Sequence, residues 1–156
     1  MKRYPGVFFW VVALGVIPCP LAWTSPDVKP SVEWNFTLPG KDTSESSRLD
    51  DVLASARAAR RPVMIDFSAE WCAACRLLDR NAFTAPDVIR QASRFVTIRI
   101  DVSNIDDATD LLVKRFGVRE LPTVAFVSSH GTVLVPSNIR GLVDASTLAR
   151  TLRGIP

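Results

Sequence analysis

Two cysteines stand three residues apart at the end of the stretch VMIDFSAEWCAAC, Val63 to Cys75, where an apolar run gives way to a helix-compatible segment. Such a pair can be a covalent staple, half of a metal site, or a redox centre. The staple contributes least, because the chain entropy a disulfide removes grows with the loop it closes, and this loop is among the shortest. A zinc site needs four ligands; setting aside Cys19, which belongs to the leader described below, the soft candidates are Cys72, Cys75 and the single His130, itself in a sequence typical of a turn tip. Redox chemistry asks for less. Cys72 falls where strand passes into helix, so its sulfur faces unpaired backbone N–H groups and the positive end of the helix dipole, both of which favour thiolate. Its pKa is expected below the free-cysteine value of about 8.5, in the range of roughly 3.5–7.5 found for such sites. Cys75, one turn further on, lies on the same helical face within bridging reach and is expected to be the more buried, resolving thiol. The cycle this pattern supports is attack by Cys72 on a disulfide, a mixed disulfide, and its displacement by Cys75.

The neighbouring residues must be weighed beside the pair. Asp66 sits in the middle of an apolar run, where a carboxylate costs free energy unless paired or protonated. It is either an edge-facing or water-satisfied acid, or a buried acid with a chemical task. Asp79, four residues after Cys75, is either a solvated helix charge or a residue that tunes the site. Trp71 is either an apolar platform beside the thiol or a packing residue before the helix, and Glu70 is expected in solvent.

These residues need elements to hold them. Ser47 and Asp50 resemble a capping box, and Leu49, Val52, Leu53 and Ala56 recur at helical spacing up to Arg57, Arg60 and Arg61, with Pro62 as a stop. Val63 to Phe67 reads as a strand buried on both faces. A helix after the cysteines carries Leu77, Leu78 and Phe83, and a shorter one spans Ala85 to Ala92. Phe95 to Val102 reads as a second strand, and Asp107 to Phe116 as a helix ended by Gly117. Thr123 to Val127 and Thr132 to Val135, separated by Ser128-Ser129-His130-Gly131, read as a hairpin. Asp144 to Leu152 closes the chain as a helix with Asp144 as its N-cap. This order describes an α/β fold: a parallel crossover unit joined to an antiparallel pair, a mixed sheet with helices on both faces.

The 156 residues, 47% of them hydrophobic, suit one globular domain, expected over residues 47–156. Lys2 and Arg3 precede the apolar run Val7 to Ile17, which is followed by Pro18 and Pro20, so residues 1–23 read as an export signal, with an uncleaved membrane anchor as the alternative. A lipoprotein role for Cys19 fits poorly, since Pro18 stands where a small residue belongs. Without Lys2 and Arg3 the formal charge falls from +3 to +1, that is 17 basic against 16 acidic residues, which leaves no electrostatic footprint for nucleic acid. Residues 24–46 read mainly as a linker in which Trp34 and Phe36 either form a short edge strand or pack a tail against the domain. Asn35-Phe36-Thr37 fits a glycosylation sequon, a tripeptide that often arises by chance.

The element order, Asp66 six residues before Cys72, the Trp71-Cys72-x-x-Cys75 motif and Leu121-Pro122-Thr123 opening the next sheet segment resemble the thioredoxin superfamily. Within it, Pro62 to Cys75 is similar to the pattern P-V-M-x-D-x-x-A-x-W-C-x-A-C of the C-terminal thioredoxin-like domain of DsbD-type disulfide-interchange proteins, and the resemblance extends from about Leu49 to Leu152. It implies a thioredoxin fold; Asp66 as the proton acceptor for Cys75; an acid at Asp79; a cis peptide before Pro122; and a loop of Leu121, Pro122 and Thr123 that, with Trp71, faces the sulfurs and pairs with an extended substrate segment. Thioredoxins proper carry a lysine near the buried acid, at the strand position expected to match Thr97, so proton handling is expected to differ here. The function implied is that of an exported, periplasmic protein-disulfide reductase, monomeric, with no cofactor beyond the Cys72–Cys75 disulfide. Oxidised proteins would be its substrates, and since an exported compartment lacks the cytosolic reducing pool, a membrane thiol donor would recharge it. The rivals are a disulfide-forming oxidant, although DsbA-type oxidants insert a helical domain for which this chain has no room, and a redox-inert binding module that keeps the fold's groove.

Overall fold

A computed structural model describes residues 30–38, 43–104 and 106–156. The leader expected over residues 1–23, with Cys19, lies outside the described residues, as do residues 24–29 and 39–42 of the expected linker. Among the described residues no helix is long and apolar enough to cross a membrane.

The chain runs β1 (Phe36–Leu38), α1 (Thr43–Ala58), β2 (Val63–Ser68), α2 (Ala73–Asn81), α3 (Pro86–Ala92), β3 (Val96–Asp101), α4 (Asp107–Arg115), β4 (Thr123–Val127), β5 (Ile139–Arg140) and α5 (Ala145–Gly154). The sheet order is β1-β3-β2-β4-β5, with β3 parallel to both β1 and β2, and β4 antiparallel to β2 and β5. This is the thioredoxin arrangement expected of the sequence. β2 lies at the centre, which explains its unbroken apolar character: both faces are covered. Ile65 and Phe67 meet Leu49 of α1 and Leu112 of α4 in one buried cluster. Met64 faces the other way, into a cluster with Leu78 of α2, Val88 of α3 and Leu148 of α5. The central strand is thereby clamped, and so is the loop that leaves its C-terminal end carrying Cys72.

Local sequence explains most boundaries. Asp106 and Asp144 accept N-cap hydrogen bonds from the Thr109 and Thr147 N–H groups, and Gly117 takes positive φ just after α4. The first helix departs from expectation. It begins at Thr43 rather than Ser47, so the expected capping box of Ser47 and Asp50 lies inside the helix; Thr43-Ser44-Glu45 is itself a helix-start composition. Its end is a Schellman turn, in which the Arg61 N–H bonds the Ala56 carbonyl and the Arg60 N–H that of Arg57. Arg60 therefore adopts φ 53°, a left-handed conformation that costs a residue bearing a Cβ. Arg60→Gly should raise stability by about 1 kcal/mol, read as a higher denaturant midpoint at unchanged slope; an unchanged or lower midpoint would contradict this account of the turn.

The expected hairpin also needs correction. Ser128 to Gly131 do form the turn, but Thr132 to Val135 contributes a single bridge, Val133 opposite Val127, and a bond from the Leu134 N–H to the Phe126 carbonyl. Pro136 then enters a 3-10 turn over Val135–Ser137. Lacking an N–H, proline cannot extend a ladder, and the chain rejoins the sheet only at β5, where Ile139 and Arg140 pair with Val124 and Thr123.

Of the expected linker, residues 30–38 lie on the domain. The Val32 N–H bonds the Phe83 carbonyl, Trp34 meets Phe83 edge-on with ring centroids 5.1 Å apart, and β1 pairs with β3 at the sheet edge. The segment is thus both an edge strand and a packed tail.

Candidate active site

Cys72 is the N-cap of α2. Its backbone is extended, and its Sγ accepts a hydrogen bond from the Cys75 N–H at 3.1 Å. A thiolate formed there would find the same N–H and the positive end of the helix already in place. Cys72 and Cys75 are joined as a disulfide with their Cα atoms 5.3 Å apart. The expected contrast in burial is slight, since Cys72 is 6% and Cys75 4% exposed. Access separates them more clearly. An apolar groove of about 290 Å³ is lined by Trp71, Cys72, Val102, Val118 and Leu121, among others, and Cys75 is not part of its wall.

Trp71 forms one lip of this groove, 64% exposed yet held in place by a bond from its Nε1 to the Ser103 carbonyl. Ser103 also accepts from the Glu70 N–H through Oγ and is itself anchored on Asp101. Neither Ser103 nor Asp101 stood out in the sequence. Leu121 also lines the groove, and the Leu121–Pro122 peptide is cis, as the resemblance implied. Pro122 and Thr123 are buried behind the groove: the Pro122 carbonyl accepts from the Gly141 N–H, and the Thr123 hydroxyl donates to the Glu120 carbonyl.

Asp66 is neither edge-facing nor open to water. It is 1% exposed, in the middle of the central strand. Its Oδ2 accepts from Arg99 Nε at 3.0 Å and lies 2.9 Å from Nη2, while Oδ1 has no hydrogen-bond partner among the described residues. Desolvation, partly opposed by the positive charge of Arg99 and assisted by the negative charge of Asp79, pushes the carboxyl up to about 7. Asp79 is no isolated surface charge: its Oδ1 accepts from Arg99 Nη2, the nitrogen that also lies against Asp66. One arginine thus bridges the buried acid and the helix acid.

The sequence reading missed Arg99 and placed the family's cation position at Thr97. The parallel register sets Asp66 opposite Arg99, and Met64 opposite Thr97. A signal was present, since FVTIRIDV carries one arginine inside an apolar strand just as VMIDF carries one acid; opposite charges buried in two such strands call for each other. Thr97 has another task. Its N–H donates to Asn35 Oδ1 at 3.0 Å, its Oγ1 accepts from the Asn35 N–H at 3.1 Å, and its hydroxyl donates to the Glu33 carbonyl, fastening residues 33–35 to β3. Trp34 lies between these attachments, its ring 4.4 Å from the Arg99 guanidinium carbon.

Comparison with known proteins agrees with this geometry. Residues 44–129 match the Thioredoxin-like family. The thiol:disulfide interchange protein DsbD of Cronobacter sakazakii is 31% identical over 131 residues, covering 80% of this chain but 23% of that protein. The chain therefore spans under a quarter of the length of this curated relative. Among solved structures, the oxidised C-terminal domain of Neisseria meningitidis DsbD superposes with a TM-score of 0.61 at 22% identity, covering 76% of this chain and 99% of the domain. A thioredoxin from Thermus thermophilus gives 0.59 at 24% identity, covering 80% and 87%. At these identities the structural matches speak to fold.

Proposed function

Because this chain belongs to the thioredoxin-like family, we propose that it is a thiol:disulfide oxidoreductase that reduces disulfides of exported proteins through Cys72 and Cys75. The observation that carries the reading is the position of the pair: Cys72 caps a helix N-terminus and borders an apolar groove, with Cys75 bonded to it from inside the same helix. In the reduced protein, the Cys72 thiolate attacks one sulfur of a substrate disulfide. A mixed disulfide forms, and the other substrate sulfur leaves as a thiolate that takes up a proton. Cys75 then loses its proton to Asp66 and attacks the Cys72 sulfur, restoring the Cys72–Cys75 disulfide and releasing the second substrate thiol. Two electrons pass from the protein to the substrate.

The residues suit these steps. The groove between Trp71 and Leu121 accommodates an extended apolar segment of an oxidised protein. Asp66 gains and loses its proton near neutral pH, so its ionised form is present there to take one from Cys75 and its protonated form to return it. Asp79 acts on Asp66 directly and through the shared Arg99. The chemistry needs no cofactor beyond the cysteine pair, and a monomer suffices. Recharging falls to a membrane thiol donor, since the leader-like residues 1–23 direct the protein out of the cytosolic reducing pool to the periplasm.

The test is the redox equilibrium of the pair against defined thiol buffers, followed by tryptophan fluorescence. A two-electron transition near about −270 mV is expected, as in thioredoxin. A value near about −120 mV would instead make the protein an oxidant, and absence of any two-electron transition would leave only a binding role.

A further inference from the structure

Arg99 is the hinge between the two acids, and its plane must be fixed if Nε and Nη2 are to stay on Asp66 while Nη2 also reaches Asp79. β3 alone does not do this, because the side chain is partly exposed and long. The remaining constraint comes from outside the crossover unit. Trp34 lies over the guanidinium at 4.4 Å, and Phe83, 6.0 Å from the same carbon, stands beside Trp34 and meets its ring edge-on. The Thr97 hydroxyl and the Asn35 amide fasten the segment on either side of Trp34, and the Val32 N–H fastens it to Phe83. We infer that the segment Val32 to Leu38 is a positioning element for the Asp66 carboxyl, with Trp34 acting through Arg99. This rests on the reading of Asp66 as the proton acceptor only for its consequence in turnover; the placement of the charge is a separate, measurable matter.

The chemistry is that of a cation held against an aromatic face. A desolvated guanidinium is attracted to the ring quadrupole, and the same contact keeps water from drawing the charge outward. With Trp34 in place the positive charge stays beside Asp66 and offsets part of its burial; with Trp34 lost, the guanidinium swings toward water and Asp79. The charged groups that face Asp66 are Arg99 from β3 and Asp79 from α2; β4 sets the uncharged Val124 opposite it, and the segment adds the uncharged Trp34. Cys75 on α2 becomes titratable only on reduction, so the oxidised protein isolates the Arg99 effect.

The measurement is the titration of Asp66 in the oxidised full chain, by carbon NMR of aspartate labelled at the side-chain carboxyl. Trp34→Leu keeps an apolar side chain but removes the π face, and should raise the Asp66 midpoint by about half a pH unit or more. Arg99→Met should raise it by about 1 to 3 pH units. In the Arg99→Met background Trp34→Leu should add nothing, and Trp34→Phe alone should restore most of the native midpoint. A midpoint unmoved by Trp34→Leu, or moved equally without Arg99, overturns the inference and leaves Trp34 a packing residue. Should Trp34→Leu fail to fold, Thr97→Val, which keeps the side-chain shape and loses the hydroxyl that holds the segment, must show the same upward shift or the inference fails. Turnover measured alongside addresses the other reading: a shifted midpoint with an unchanged pH profile of turnover would remove Asp66 from the proton transfer while the positioning role stands.

Discussion

Cys75→Ser should arrest the protein as a mixed disulfide through Cys72 and abolish turnover. The second step of the cycle is intramolecular, and well-oriented groups of this kind reach effective molarities on the order of 10⁵ M or more. No external thiol at ordinary concentration replaces that. Cys72→Ser should be equally inactive but should trap nothing, because the groove reaches Cys72 and not Cys75. Incubation with an oxidised peptide, followed by non-reducing electrophoresis and mass spectrometry, distinguishes the two variants. An adduct on Cys72→Ser, or none on Cys75→Ser, would reverse or remove the nucleophile assignment.

Asp66→Asn should make the protein more stable and slower. The folded protein holds the Asp66 proton up to about pH 7, whereas an unfolded chain releases it near about 3.9. Between these values the folded state binds more protons than the unfolded one, so the stability contribution is fully present below about pH 4 and is lost as pH rises through 7. Asparagine keeps a neutral side chain at every pH. At 1.36 kcal/mol per pH unit the variant should gain about 2–4 kcal/mol over the native protein at pH 8, and almost nothing at pH 4. Denaturant unfolding at the two pH values reads the difference. Turnover should move the other way, falling by about 10²-fold where deprotonation of Cys75 limits the rate, with loss of the native limb centred near pH 7. If the variant turns over normally from about pH 6 to 9, a range that straddles the free-thiol value, Asp66 is not the proton acceptor.

The two effects have one cause. A carboxyl that is costly to ionise is costly because it is dry, and dryness is also what brings its proton exchange near neutral pH. The unpartnered Oδ1 fits this description, since a fully solvated or fully paired carboxylate would hold no proton at pH 7.

What the sequence determined by itself was local. The Cys-X-X-Cys at a strand-to-helix junction, the caps at Asp106 and Asp144, the stop at Gly117 and the buried character of Val63 to Phe67 all follow from spacings of a few residues, over which backbone geometry is nearly the same in any fold. Asp66 stood out for the same reason, as a charge inside an apolar run. Its partner did not: Arg99 lies 33 residues away, and only the register of two parallel strands sets the two side by side rather than placing Thr97 there. A register shift of two would satisfy the same alternation of side chains, so periodicity could not choose between them. The same holds for Trp34, which local sequence left between strand and tail until Thr97 and Phe83 tied it over the arginine, and for β5, where Pro136 displaced an expected strand. The cysteines announce the chemistry within thirteen residues; the charges that tune it meet only when the sheet forms, because electrostatic coupling depends on distance in space and the chain encodes that distance through packing alone.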